Sequence, residues 1–335
     1  MKRLLIVLSL LLFLQFCQSK EQNQNPLIQT VSGEIDPDAL GTTLIHEHIL
    51  VDFIGADSTG FHRWDKNEVV SFILPFLKDA MDKGIRTMVE CTPSYLGKDP
   101  ELLKLLSEKT GMHFLTNVGY YGALSGKYLP QHAFEETAEQ LAERWIKEVF
   151  NGIEETGVKP GFIKISVNEG PILSEIDAKL VKAAAITNLE TGLLIVSHTG
   201  SWETARAQVD LLKLNQASPE NFVWVHAQNE KNFENYRIAS QEGVWISLDG
   251  IVWDVEGHLE RLVFIRDHIG LEKVLISHDA GWYSPGEQDQ GSFKGYTSLF
   301  DNLVPLLFEN DFTQADIDKL LIENPKKAFS ITRQE

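Results

Sequence analysis

The sequence predicts an α/β protein built as one (β/α)8 TIM barrel, and three observations predict it. A short apolar run followed by a segment of helical spacing recurs eight times. No G-x-G-x-x-G turn follows an early run, as an open dinucleotide-binding sheet would require. The length, 335 residues, is the natural size of one such barrel plus a leader. Strands alternating with helices imply a parallel sheet with crossover helices, and eight units favour closure over an open sheet.

The first residues stand outside the barrel. Lys2 and Arg3 precede the apolar run Leu4–Leu14, then Cys17, then a polar stretch from Gln18 to Asn25. A charged start and a short apolar core read as a secretory signal, too short for a stable membrane span. A cysteine just after that core is the pattern of a lipoprotein, so residues 1–17 are expected to be a signal peptide with Cys17 lipidated. Phe16 is bulkier than the small residue usual before such a cysteine, and ordinary cleavage or an uncleaved anchor are the alternatives. The expectation is an exported protein, periplasmic or membrane-anchored. Residues 18–26 then form a polar tether and 27–335 a single barrel, with no low-complexity linker inside it. Only Cys91 remains after the leader, which excludes a disulfide framework and suits a small core residue.

The eight runs are Thr43–Val51, Ile85–Thr92, His113–Tyr121, Phe162–Val167, Leu193–His198, Phe222–Ala227, Val244–Ile251 and Val274–His278. Each is rich in β-branched or aromatic residues and ends near Gly, Pro, Asn or Asp, as strands do. Helix starts lie between them: Asp65 with Glu68, Ser174 with Asp177, and Thr313 with Asp316 each resemble a capping box. In the second, Ile176, Leu180 and Ala184 recur every four residues and define one buried face.

Barrel sites form at the carboxyl ends of the strands, so the polar residues there carry the functional reading. In Leu44-Ile45-His46-Glu47-His48, period-two alternation sets both histidines on one face and Glu47 on the other. Lys164 has apolar neighbours on both sides in Phe162-Ile163-Lys164-Ile165-Ser166, where a buried ammonium is costly. It can escape by forming a carbamate that bridges two metals, by reaching water from the outer face, or by serving as a Schiff-base lysine. His198 and His226 end the next two strands, and the last ends in His278-Asp279. There Asp279 fits an inward ligand and His278 points to the surrounding helices. Of ten histidines, His46, His48, His198 and His226 all fall at predicted strand ends. With Lys164 and Asp279 they make a nitrogen and oxygen donor set suited to zinc, manganese or cobalt.

These residues resemble the phosphotriesterase-related, lactonase-like branch of the amidohydrolase superfamily. The resemblance starts at Gly33-Glu34-Ile35 and Leu40-Gly41-Thr42-Thr43-Leu44-Ile45-His46-Glu47-His48, and runs through Lys164, His198, His226 and Asp279. It ends at Glu323-Asn324-Pro325-Lys326-Lys327-Ala328-Phe329. It implies a binuclear site of two divalent ions, zinc first, with manganese or cobalt as alternatives. His46, His48 and Asp279 would hold the more buried ion, and His198 and His226 the outer one. N6-carboxylated Lys164 and a hydroxide would bridge them, with Asp279 accepting the hydroxide's proton. Tyr121 stands where lactonase-like members carry a tyrosine beside the outer metal. The proton relay of the phosphotriesterases is absent, because Gly250 and Asn229 occupy its places, although Asp249 is kept. Tyr120, Gln228 and Trp282 are expected in the pocket wall, together with Trp253 and Tyr283 from the loops after the last two strands.

The expected activity is metal-dependent hydrolysis of a lactone, ester or amide carbonyl, with organophosphate triesters at most a side reaction. The alternatives are a metal-containing receptor for a small ligand and a Schiff-base aldolase using Lys164. A formal net charge of −18 without clustered Lys and Arg excludes nucleic acid as a partner. The partner is then a small-molecule substrate, membrane contact is limited to a lipid on Cys17, and the resemblance points to a homodimer.

Overall fold

The computed structural model of the chain describes residues 25–332. The expected signal segment and the tether up to residue 24 lie outside the described residues. A hairpin comes first, β1 (Ile28–Thr30) and β2 (Gly33–Ile35), antiparallel with Ile28 opposite Ile35. Strands of three residues carry too little alternation to be seen in sequence, and this hairpin was not expected. Leu27 and Ile331 exchange backbone hydrogen bonds of 3.0 and 2.8 Å, which ties the two ends of the described chain together.

The barrel strands follow: β3 (Thr43–Glu47), β4 (Thr87–Glu90), β5 (His113–Leu115), β6 (Asn117–Val118), β7 (Phe162–Ser166), β8 (Ile195–His198), β9 (Phe222–Val225), β10 (Trp245–Leu248) and β11 (Val274–Ile276). All pair in parallel with their chain neighbours except across β5 and β6. Those two lie inside the single expected run His113–Tyr121. Leu115 aligns with Val89 on β4 while Asn117 aligns with Phe162 on β7, so one strand changes partner around Thr116. The eight expected strands are therefore present. The sheet closes where the end of β11 meets β3: Asp279 N donates to His46 O at 3.0 Å and His48 N to Ala280 O at 2.8 Å.

Alternation sorts the strand side chains into two cores. Ile45, Val89, Cys91, Leu115, Phe162, Val196, Val223, Val225 and Leu275 form one cluster inside the barrel, with Ile28 and Phe329. Leu44, Met88, Ile163, Ile165, Ile195, Trp224, Ile246 and Ile276 belong to the larger cluster packed against the helices. The barrel interior is thus filled with side chains, and the cavity described below opens at its carboxyl end.

Helix caps hold the crossovers. Asp65 accepts from the backbone of Asn67 and Glu68, and Ser174 from Asp177, but neither receives the reciprocal bond of a full capping box. Thr313 and Asp316 make the complete box. Thr137 and Gln140 make a second one that the sequence reading passed over, although T-x-x-Q is the same signature.

Candidate metal centre

Each of the six expected ligands lies at the carboxyl end of the barrel, and all line one cavity. Alternation alone does not bring them there. On β7 it suffices: Phe162 faces the interior, Ile163 and Ile165 face the helices, and Lys164 faces the cavity. On β3 Ile45 already faces inward, so strict alternation would turn His46 out. The register with β4 shifts between Leu44 and Glu47, a bulge that returns His46 to the inside, on the same side as His48. His226 and Asp279 follow strand residues and take left-handed backbone, φ 60° and 53°, an uncommon state for residues with a Cβ. That turn carries His226 into the mouth. His278 points outward as expected, accepting from Leu299 N at 2.8 Å through Nε2.

Asp249 organises the histidines. It is fully buried and accepts from His226 Nδ1 at 2.7 Å, from His46 Nδ1 at 3.2 Å and from Ser247 Oγ. Burial alone would raise its carboxyl, but His226 and His46 outweigh it and hold it well below the usual range. With Nδ1 of both rings donating to this carboxylate, each neutral ring turns its Nε2 lone pair toward the cavity. His46 Nε2 lies 3.8 Å and His48 Nε2 3.1 Å from Asp279 Oδ1. These three residues form a group able to hold one ion, as do His46, His226 and Asp249 by distance. Since Asp249 is already spent on the two Nδ1 atoms, it braces His46 and His226 and is not itself counted among the candidate ligands. His226 Nε2 is 2.8 Å from His198 Nδ1, and Tyr121 Oη is 3.2 Å from His198 Nε2.

The electrostatics suit cation capture. Burial, helped by Lys164, lowers the His46 imidazole to about 4. Burial, then His226 and Lys164, push His198 well below its ordinary value. Neutral imidazole is the form that ligates. At His226 burial also opposes charge, but Asp249 prevails and the net shift is upward. Asp279 stays ionised against its burial because His48, His46 and His226 face it. Burial, then Asp279 and Tyr128, raise the Tyr121 phenol, which keeps its proton.

Lys164 tests whether these residues fit a metal pair. It is 2% exposed, and its Nζ has no hydrogen-bond partner. A bare ammonium left so would cost several kcal/mol, about 3–5 for an uncompensated buried charge. Carboxylation would convert it into an anionic bridging ligand among imidazoles, so the residues present fit the group. The outer-face alternative for Lys164 is excluded by its position in the cavity.

The wall differs in part from expectation. Trp282 lines the cavity, at φ 74°. Tyr120 does not: its hydroxyl meets His132 at 2.9 Å and its ring packs on Trp145, because it follows β6 on the helix side. Gln228 braces Asp249, with Nε2 3.2 Å from Oδ1 and its own Oε1 accepting from Asp249 N at 3.1 Å. Tyr283 packs on Phe72, and Trp253 is 58% exposed, touching the cavity only through Trp282. Val51, Phe53, Pro93, Leu96, Leu124 and Tyr128, with Cys91 just beyond β4, complete the wall, and sequence reasoning did not place them there. They come from loops, where no periodicity reports which way a side chain faces.

Known proteins resemble this chain over nearly all of its described length. The profile of the phosphotriesterase family matches residues 26–329. A phosphotriesterase homology protein of Escherichia coli (strain K12) is 28% identical, over 87% of this chain and 99% of its own length. An aryldialkylphosphatase of Saccharolobus solfataricus is 27% identical over 88% and 97% of the two chains. An N-acetyltaurine hydrolase of Danio rerio is 23% identical over 90% and 97%. Among solved structures, a mutant organophosphorus hydrolase from Deinococcus radiodurans superposes with a TM-score of 0.80 at 24% identity, covering 90% of this chain and 97% of that one.

Proposed function

The chain belongs to the phosphotriesterase family, and on that premise we propose that it is a metal-dependent hydrolase of carbonyl-centred bonds, in lactones, esters or N-acyl amides. The observation that carries the reading is the partnerless Lys164 Nζ inside a cavity ringed by four histidines and Asp279. His46, His48 and Asp279 would hold one divalent ion, His198 and His226 the other, with carboxylated Lys164 shared between them. When bound, such ions supply Lewis acidity to the scissile carbonyl and lower the pKa of water.

The chain's own residues do the rest. Asp279, ionised and beside His48, accepts the proton of the attacking water at Oδ1. Tyr121 keeps its phenol proton and lies beside His198, placed to donate to a substrate oxygen. Val51, Phe53, Leu96, Tyr128 and Trp282 exclude water around the reacting bond, which strengthens each charge interaction inside. Two features support carbonyl over phosphorus centres: Gly250 and Asn229 lack the side chains of the phosphotriesterase proton relay, and one relative is named for hydrolysis of an N-acyl amide.

The test is elemental analysis of protein purified without chelators, joined to turnover on lactones, esters and N-acyl amides with zinc or manganese added. About two equivalents of metal and turnover of a carbonyl class are expected. Tight binding of these compounds without turnover would replace the reading with a receptor. Borohydride trapping of a carbonyl substrate on metal-free protein would replace it with a Schiff-base aldolase.

A further inference from the structure

His46 and His226 are braced by a shared carboxylate, whereas His48 is not. Its Nδ1 lies 2.8 Å from the hydroxyl of Thr92, just beyond β4. The same hydroxyl meets Oε1 of Glu90, a fully enclosed residue at the end of that strand. The Glu90 carboxylate also accepts from Ile49 N and Thr92 N, each at 3.3 Å. The Asn117 amide donates to the carbonyls of Glu90 and Thr92, both at 3.1 Å, and Lys98 Nζ donates to the Asn117 carbonyl at 2.9 Å. All of these side chains are buried.

Directions in this chain follow from donor counting. Burial raises the Glu90 carboxyl against the opposing pull of His48, Thr92 and Ile49; as a carboxylate it only accepts, and a threonine hydroxyl has one hydrogen. That hydrogen goes to Glu90, so the Thr92 oxygen receives its second bond from His48 Nδ1–H. When neutral, the imidazole then carries its lone pair on Nε2, the atom 3.1 Å from Asp279 Oδ1. Two acceptors would then face each other, which is favourable only with a cation between them: a proton, by which His48 donates to Asp279, or the metal ion that displaces it.

We propose that Thr92 and Glu90 are positioning residues for metal capture: the relay Glu90–Thr92–His48 holds His48 in the Nδ1–H tautomer and presents Nε2 to the ion. The inference rests on the metal-centre reading above. Neither residue lines the cavity, and Asn117 with Lys98 anchors the backbone on which the relay stands.

The experiment is a zinc titration of the full chain against a competing chelator, for the wild type, Thr92→Val and Thr92→Ser. Valine keeps the shape and removes the hydroxyl; serine restores it. Zinc affinity is expected to fall on the order of 10- to 100-fold in Thr92→Val and to recover in Thr92→Ser. Equal affinity in wild type and Thr92→Val would overturn the inference while leaving the metal centre standing. A wild type that binds no zinc would overturn the underlying reading instead. Nitrogen-15 spectra of histidine-labelled, metal-free wild type decide independently, even should the valine variant not fold. A proton on His48 Nδ1 is expected, and an unprotonated Nδ1 would refute the relay.

Discussion

A buried ammonium without a partner lowers stability, so Lys164 carries a prediction of opposite signs for folding and function. In protein stripped of metal, Lys164→Met is expected to raise stability on the order of 1–3 kcal/mol, because an unsatisfied charged donor is replaced by an apolar chain. The same variant should lose metal binding. Urea unfolding in chelator reads the first effect and elemental analysis the second; a variant less stable than its parent would show that Lys164 finds a partner even without metal. His198→Ala should lower metal content and turnover together, and full activity at full occupancy would remove His198 from the ligand set. Tyr121→Phe separates orientation from ligation, since its hydroxyl meets only His198 in the cavity. Metal content should stay unchanged while kcat falls about tenfold, the worth of one hydrogen bond.

Between elements, the closing seam of the barrel depends on one side chain. Glu47, on the outward face of β3, accepts from Ser277 Oγ at 2.7 Å, His278 N at 3.0 Å, His278 Nδ1 at 2.7 Å and Ala280 N at 2.9 Å. It clamps the end of β11 around Asp279 onto the strand that carries His46 and His48. Glu47→Ala leaves these donors buried and unpaired, so a loss of about 3–5 kcal/mol in urea unfolding is expected. A loss below 1 kcal/mol would mean the seam holds by backbone bonds alone. Gly281 serves the same seam by having no side chain. At φ 99°, a Cβ there would sit 1.7 Å from the His48 carbonyl oxygen. Gly281→Ala should part β3 from the loop after β11 and weaken zinc binding, readable by the chelator titration.

For the whole molecule, the proposed ligands come from strands distributed around the barrel, so a bound metal pair would tie early and late segments of the chain together across the site. A ligand bound only by the folded state adds stability by mass action, roughly 2.7 kcal/mol at a hundredfold excess over Kd. Chelation should therefore lower the melting temperature and abolish turnover, and zinc, manganese or cobalt should restore both. An unchanged melting temperature after complete metal removal would contradict the proposed centre.

The fold class was legible because strand and helix periods are local: eight apolar runs separated by capped helices imply a closed parallel sheet without any tertiary information. The six cavity residues proposed as ligands were legible because residue type and place agree, His, Lys and Asp at the ends of runs otherwise apolar. Sequence likewise marked His278 as outward. What escaped it depends on contacts between distant segments. The bulge that returns His46 to the cavity, the left-handed turns at His226 and Asp279, and the partner change around Thr116 are set by neighbouring strands. The roles of Asp249, Glu47 and Thr92 exist only as hydrogen bonds across the barrel, and the wall of Val51, Phe53 and Tyr128 only as loops folded over its mouth. Sequence by itself determined which chemistry the chain carries, since donor type belongs to single residues. Tertiary structure alone decided which donors share a cavity and which lone pairs face it, since direction is imposed by packing.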